Sequence, residues 1–287
     1  MKTAIIDADS IIYIVAYHNA VDKNITDLFQ GTEEEIDFLI LELYKTKDTQ
    51  AVLDHIDGFV NDILNAVNAT HYLGFLGNRN GSNTFRHKLA ITKPYKGQRS
   101  KSPHWIKYWK PIITEHLVSK WKFEEVSDIE ADDACAIYTT HLSNSVLCSP
   151  DKDILQIPGE HYNYKKIEHT FISNEEALKR LFTQVIIGDT VDNIPGCPGV
   201  GEKSPFLQFK GCNTFEEYVN YTKNVFKSKG HESMYDEQFS LVYMLRDISH
   251  LSTITEPIER PIIGEVTPEF TQSVIVNLPP SPPSFSQ

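Results

Sequence analysis

Lys2-Thr3-Ala4-Ile5-Ile6-Asp7-Ala8-Asp9-Ser10-Ile11-Ile12-Tyr13-Ile14-Val15-Ala16-Tyr17 is the stretch on which the fold turns. Residues 3–6 form a short apolar run of the kind buried on both faces of a sheet, and residues 10–17 continue with the character of a helix. The strand therefore ends at an acid, Asp7, with a helix following at once. In an open α/β sheet the carboxyl ends of the strands converge on one crevice, so an acid at that point faces a potential site.

Working outward, strands are predicted at 71–76, 122–126 and 145–148, with weaker ones at 161–165 and 169–172. Helices are predicted at 33–43, 51–67, 103–121 and 129–142. This alternation predicts an α/β fold with a central, mostly parallel sheet flanked by helices. After Asn174 the character changes: 175–187, 214–228 and 235–246 all read as helical, which implies a smaller α-helical lobe. The division expected is an α/β domain over 1–174, a helical lobe over 175–270 and a disordered Pro/Ser-rich tail over 271–287.

Asp7 and Asp9 are the first of four carboxylate clusters at such positions. The others are Glu130, Asp132 and Asp133 at a helix start, Asp151 and Asp153 after the strand ending at Cys148, and Asp189 with Asp192. Each alone is ordinary, since an acid caps a first helical turn and an Asx turn ends many loops. Together they point to a metal. Two carboxylates about 4 Å apart repel by roughly 4 kcal/mol at an effective dielectric near 20, so such a nest must take up protons or cations. Oxygen ligands without paired His or Cys favour Mg²⁺ or Mn²⁺, and a pair of such ions is suited to phosphodiester hydrolysis. Ile194-Pro195-Gly196-Cys197-Pro198-Gly199-Val200-Gly201-Glu202-Lys203 follows the last cluster, and its glycines permit close backbone approach to a phosphate.

A net charge of −12 argues at first against a nucleic-acid partner, but its distribution does not. Residues 22–62 carry eleven carboxylates against Lys23, Lys45 and Lys47. Residues 63–114 carry none, yet include Arg79, Arg86, Lys88, Lys93, Lys96, Arg99, Lys101, Lys107 and Lys110. Phe85, Tyr95, Trp105, Tyr108 and Trp109 are interleaved with them as stacking surfaces for unpaired bases. The acidic segment reads as a solvated helical insertion covering one rim of the cleft. Asp7 and Asp9 interrupt the N-terminal apolar run, so neither a signal peptide nor a membrane span is expected, and the chain is read as a cytoplasmic monomer. Cys135, Cys148, Cys197 and Cys212 form no CxxC pair and are expected to be free and mostly buried.

At this point the sequence resembles the structure-specific 5′ nuclease superfamily, the 5′→3′ exonucleases and flap endonucleases, and is most similar to the small phage-type members. The resemblance rests on Ile6-Asp7-Ala8-Asp9, on Phe85-Arg86 followed by Tyr95-Lys96-Gly97-Gln98-Arg99, on Glu130-Ala131-Asp132-Asp133, on Ser149-Pro150-Asp151-Lys152-Asp153, and on Gly188-Asp189-Thr190-Val191-Asp192-Asn193-Ile194-Pro195-Gly196, in family order. It implies a PIN-like sheet domain, a helical arch at about 93–115 and a helix-hairpin-helix-like (H3TH) turn at 188–209. It also implies two metal ions, with Asp7, Glu130, Asp132 and Asp151 innermost and Asp133, Asp153, Asp189 and Asp192 completing the site. By the same resemblance Lys96 and Arg99 hold the scissile phosphate, and Tyr95 stacks on the terminal nucleotide. Arg86, Lys101, Lys107, Gly196, Gly199, Gly201 and Lys203 contact DNA, and the H3TH-like turn binds K⁺. The expected substrates are DNA with 5′ ends or flaps and RNA–DNA hybrid. One departure stands out: where relatives often carry another Asp shortly before Phe85, this chain has Asn78 and Asn80. Two other readings stay open, a non-catalytic binder of branched DNA and a PIN-like ribonuclease.

Overall fold

The structure, a computed structural model, describes residues 2–21, 30–77, 84–247 and 249. Asn78, Asn80, Arg79 and the expected tail lie outside the described residues, as does the end of the expected helical lobe. Six strands form one sheet: β1 (Thr3–Asp7), β2 (His71–Gly77), β3 (Glu124–Val126), β4 (Ser145–Cys148), β5 (Gly159–Asn163) and β6 (Glu168–Ile172). Their spatial order is β3-β2-β1-β4-β5-β6, parallel throughout except for the last, antiparallel pair. The expected mostly parallel sheet is therefore present.

The first strand sits centrally because it is apolar on both faces. Ala4 and Ile6 point to one side, into a core shared with α1 (Asp9–His18), α2 (Glu33–Lys45), α3 (Thr49–Ala66) and α5 (His104–Ser119). Ile5 points to the other, where α6 (Ala131–His141) brings Ala134, Cys135 and Ile137 against it. From β1 the sheet grows through β2 in one direction and through β4 in the other. The crevice at the carboxyl ends of β1 and β4 is consequently the topological switch point.

The last helices, α7 (Asn174–Ile187), α8 (Phe215–Ser228) and α9 (Tyr235–Val242), surround their own cluster of Phe182, Val185, Tyr218 and Phe226. Three local expectations change. A short helix, α4 (Phe85–Leu89), was too brief to show a periodic pattern. Helix α9 stops at Val242, after which Met244 and Leu245 cross back into the core beneath α6. The expected arch is helical only from His104, in α5, which buries Ile106, Trp109, Ile113 and Leu117.

Trp109 shows how firmly that helix is docked. Its ring has no exposure, it stands edge-on to Tyr44, and its indole Nε1 donates to the Asn19 carbonyl at 3.1 Å. Trp109→Ala is expected to cost about 3–5 kcal/mol in a denaturant titration. A cost under about 1 kcal/mol would mean that α5 is not held in this layer.

Candidate metal centre and phosphate clamp

Asp7 ends β1 nearly buried, and its position is set by short polar links to neighbouring strand ends. The Ser149 hydroxyl, just past β4, donates to Asp7 Oδ2 at 2.8 Å and accepts from the Asp151 N–H at 3.1 Å. Asp9 opens α1, and its Oδ1 accepts from the Gly77 N–H at 3.0 Å at the end of β2. A Cβ on Gly77 would fall 2.8 Å from that carboxylate, so any other residue there would push the Asp9 side chain aside. On the neighbouring wall Glu130, Asp132 and Asp133 start α6, each with a carboxylate oxygen within 4.8 Å of the others.

The electrostatics link these acids to the remaining two clusters. Burial first, then Asp9 and Asp151, push Asp7 from 3.8 up to about 7. Asp9 is raised by burial, with Glu130 adding to it and Lys110 opposing. Asp132 is raised well above the carboxylate range by burial, then by Asp133 and Glu130. Asp153 is raised to about 7 by burial, Asp151 and Asp189, against Lys152. A string of mutually repelling carboxylates thus runs Asp132–Glu130–Asp9–Asp7–Asp151–Asp153–Asp189 past the carboxyl ends of the central strands. Lys152 approaches Asp189 at 3.5 Å but is largely exposed, so it offsets little of this. The donor set is all oxygen, with no His or Cys. Apart from Glu130, its like charges are under-compensated by protein cations, which fits hard divalent ions. Asp9, quoted in the first motif but given no ligand role, belongs to the string; its spacing two residues after Asp7 is the sequence signal.

Beside the carboxylates lies a cationic clamp. Lys96 Nζ pairs with Glu130 Oε1 and stands 3.8 Å from Asp192 Oδ2. Arg99 reaches Asp192 Oδ1 at 2.7 Å. Burial would raise Glu130, but Arg86 and Lys96 overcome it and hold it at about 2. The loop carrying these cations is stitched to the Asp189–Asp192 turn. The Lys96 N–H donates to the Asp192 carbonyl at 2.9 Å, and Asn193 donates to the Pro94 carbonyl at 2.8 Å. Two motifs far apart in sequence are one structural unit.

Several expected roles do not match the positions found. Arg86 is only 2 % exposed and cannot meet DNA there; its guanidinium is forked onto Asp133 at 2.6 and 2.7 Å. Asp133 also accepts from the Leu245 N–H at 3.0 Å, while its carboxylate stays within the group it forms with Glu130 and Asp132. Tyr95 is buried with its hydroxyl 2.7 Å from Glu130 and 3.0 Å from Asp192, which removes its ring from any stacking surface. Phe85 and Trp109 are likewise interior. The N–H of Gly196 already donates to Gln238 at 2.9 Å, and a Cβ there would lie 2.4 Å from the Gly188 nitrogen. Gly196 thus closes the turn on itself, whereas Gly199, Gly201 and Lys203 are exposed. Lys101 and Lys107 are exposed too, each beside a carboxylate of α2. All four cysteines are free, three of them buried. No helix among the described residues is long and apolar enough to cross a membrane.

The chain is similar in sequence and in fold to known proteins. A 5′-3′ exonuclease from Aquifex aeolicus is 29% identical over 143 residues, 45% of this chain and 50% of that protein. The flap endonuclease Xni of Pseudoalteromonas translucida is 28% identical over 178 residues, 55% of this chain and 65% of that one. The chain spans about half the length of the first of these relatives. Among solved structures, a T5 protein co-crystallised with metal ions has the same fold, with a TM-score of 0.62 at 13% identity over 89% of this chain and 97% of that one. A T5 flap endonuclease in a pseudo-enzyme-product complex with DNA and metal ions gives 0.51 at 14% identity over the same shares, 89% and 97%. The model of the 5′-3′ exonuclease N-terminal resolvase-like domain matches residues 2–183, most of the chain, and the chain therefore belongs to that family.

Proposed function

We propose that this chain is a divalent-metal-dependent phosphodiesterase that removes nucleotides or flaps from the 5′ ends of DNA, in replication or repair. The observation that carries it is the string of carboxylates at the switch point of the sheet with Lys96 and Arg99 fixed at its flank. RNA–DNA hybrid fits as well, because the clamp is cationic and reads no base. The free thiols fit a reducing cytoplasm.

Asp7, Asp9, Glu130, Asp132 and Asp151 would hold one part of the metal centre, with Asp153 and Asp189 extending it to a second ion. Bound Mg²⁺ or Mn²⁺ would supply charge neutralisation at the phosphate and activation of the attacking water. The protein's share is positional. Ser149 keeps Asp7 and Asp151 in register, and Gly77 keeps Asp9 in place. Lys96 and Arg99 are held in place by Glu130 and Asp192, and an incoming phosphate would share their charge-assisted donors with these carboxylates. On the far side Gly199 and Gly201 leave the turn open to a duplex backbone, and its carbonyls would take K⁺.

The test is cleavage of 5′-labelled duplex and flap substrates with Mg²⁺ or with EDTA, products sized on a sequencing gel. Cleavage near the 5′ end in Mg²⁺ and none in EDTA is expected. Binding without cleavage would instead mark a branched-DNA binder, and degradation of RNA alone a ribonuclease.

A further inference from the structure

The cations nearest the outer end of the clamp do not face solvent alone. Lys101 Nζ lies 2.7 and 3.0 Å from the two oxygens of Glu33, and Lys107 Nζ lies 2.7 Å from Asp37. Glu33 and Asp37 are four residues apart, on one face of α2. Because residues 63–114 contain no acid, the counter-charges for this cationic stretch must come from elsewhere, and for Lys101 and Lys107 α2 provides them.

The fastening of α2 is light. Of its thirteen residues only Ile40 and Tyr44 are buried, while Phe38, Leu39, Leu41 and Leu43 stay exposed, Phe38 at 60%. Tyr44 stacks on Tyr108, and its hydroxyl lies 2.9 Å from His104 Nδ1. Between α2 and the start of α5 runs a cleft of about 500 Å³ lined by Glu33, Asp37, Lys101, Lys107 and Trp105. Exposed ion pairs of this kind contribute only about 0–1 kcal/mol and are screened by salt, so a phosphate need outweigh little to replace one.

We propose that this cleft binds the unpaired 5′ arm of the substrate, and that the carboxylates of α2 compete with its phosphates for Lys101 and Lys107. Two phosphates would replace Glu33 and Asp37, and the indole of Trp105 offers a face for one base. The helix thereby weakens the hold on the arm and leaves a duplex without one unaffected. This rests on the DNA-processing reading above and adds to it which segment guards the entrance.

The experiment uses the full chain in EDTA, so that binding is read without cleavage. A fluorescent duplex with a single-stranded 5′ arm and the matching blunt duplex are titrated at low salt. Glu33→Gln/Asp37→Asn is expected to bind the armed duplex at least five-fold more tightly than the wild type and to leave the blunt duplex within two-fold. Glu34→Gln/Glu42→Gln removes the same charge from the same helix away from the lysines, and should leave both within two-fold. Lys101→Ala/Lys107→Ala should lose the preference for the arm. An unchanged or weakened affinity of Glu33→Gln/Asp37→Asn for the armed duplex overturns the proposal, as does an equal gain from Glu34→Gln/Glu42→Gln. Cleavage of the same duplexes by the wild type in Mg²⁺ is measured in parallel. If it cleaves while neutralising α2 changes nothing, the guard fails and the nuclease reading stands; if it neither binds nor cleaves, both fail.

Discussion

Asp7→Asn is expected to abolish metal-dependent cleavage and, in the same molecule, to stabilise the metal-free protein at neutral pH. The first effect follows from removing a charged oxygen ligand at the centre of the carboxylate string. Charge stabilisation by a bound metal is worth several kcal/mol, so a rate loss of at least about 10³-fold is expected. The second follows from the proton. Asp7 moves from 3.8 in the unfolded chain to about 7 in the folded one, a span worth about 4 kcal/mol. Because the folded value is the higher, its contribution to stability is complete below pH 3.8 and is lost as pH rises through 7. Asparagine keeps an acceptor for Ser149 but carries no charge to lose. The variant should therefore match the wild type near pH 4 and exceed it by about 1–3 kcal/mol at pH 8 in EDTA. Mg²⁺ at 100 times its dissociation constant should return about 2.7 kcal/mol to the wild type and little to the variant. Chemical denaturation across pH with and without Mg²⁺ reads all of this. Parallel pH profiles for the two proteins would show that Asp7 is not under repulsion.

The fold was legible where physics acts locally. Residues 3–6 are apolar on both faces, so β1 had to lie between two helical layers, and an acid at its end had to lie in the crevice. The recurrence of acids after β4 and at the start of α6 made their convergence readable as well. The sequence could not show what each side chain meets across the fold. Arg86 and Tyr95 stand among cations and aromatics that look like a DNA face, yet both turn inward, Arg86 onto the buried Asp133 and Tyr95 onto the partly buried Glu130 and Asp192. Gly196 and Gly199 look alike in the chain; only the crossing of Gly188 and Gly196 backbones separates a structural glycine from an open one. The pairing of α2 with Lys101 and Lys107 joins two segments of opposite charge, and charge patterning marked each segment without showing that they touch.

Arg86→Ala should be among the most damaging single substitutions in the chain. The guanidinium spans three elements: it forks onto Asp133 of α6, reaches Glu130 at 3.1 Å, and donates to the carbonyls of Leu241 at 3.0 Å and Tyr243 at 2.9 Å. Burial works against its charge, and Asp133 and Glu130 outweigh that, so it holds its proton more tightly than usual. Alanine leaves Asp133 fully buried and without a counter-charge, and breaking one side of a buried pair costs about 3–5 kcal/mol. That is a large part of the 5–15 kcal/mol that domains typically possess. Removing both charges should be far milder: Arg86→Met/Asp133→Asn is expected to recover most of the loss, short of the donors to Leu241 and Tyr243. Arg86→Lys should fall between, since an ammonium cannot fork onto a carboxylate. The folded fraction of Arg86→Ala should bind DNA with the wild-type dependence on salt, because this side chain touches no phosphate. A shallower salt slope with unchanged stability would return Arg86 to the DNA-binding surface and undo its place in the core.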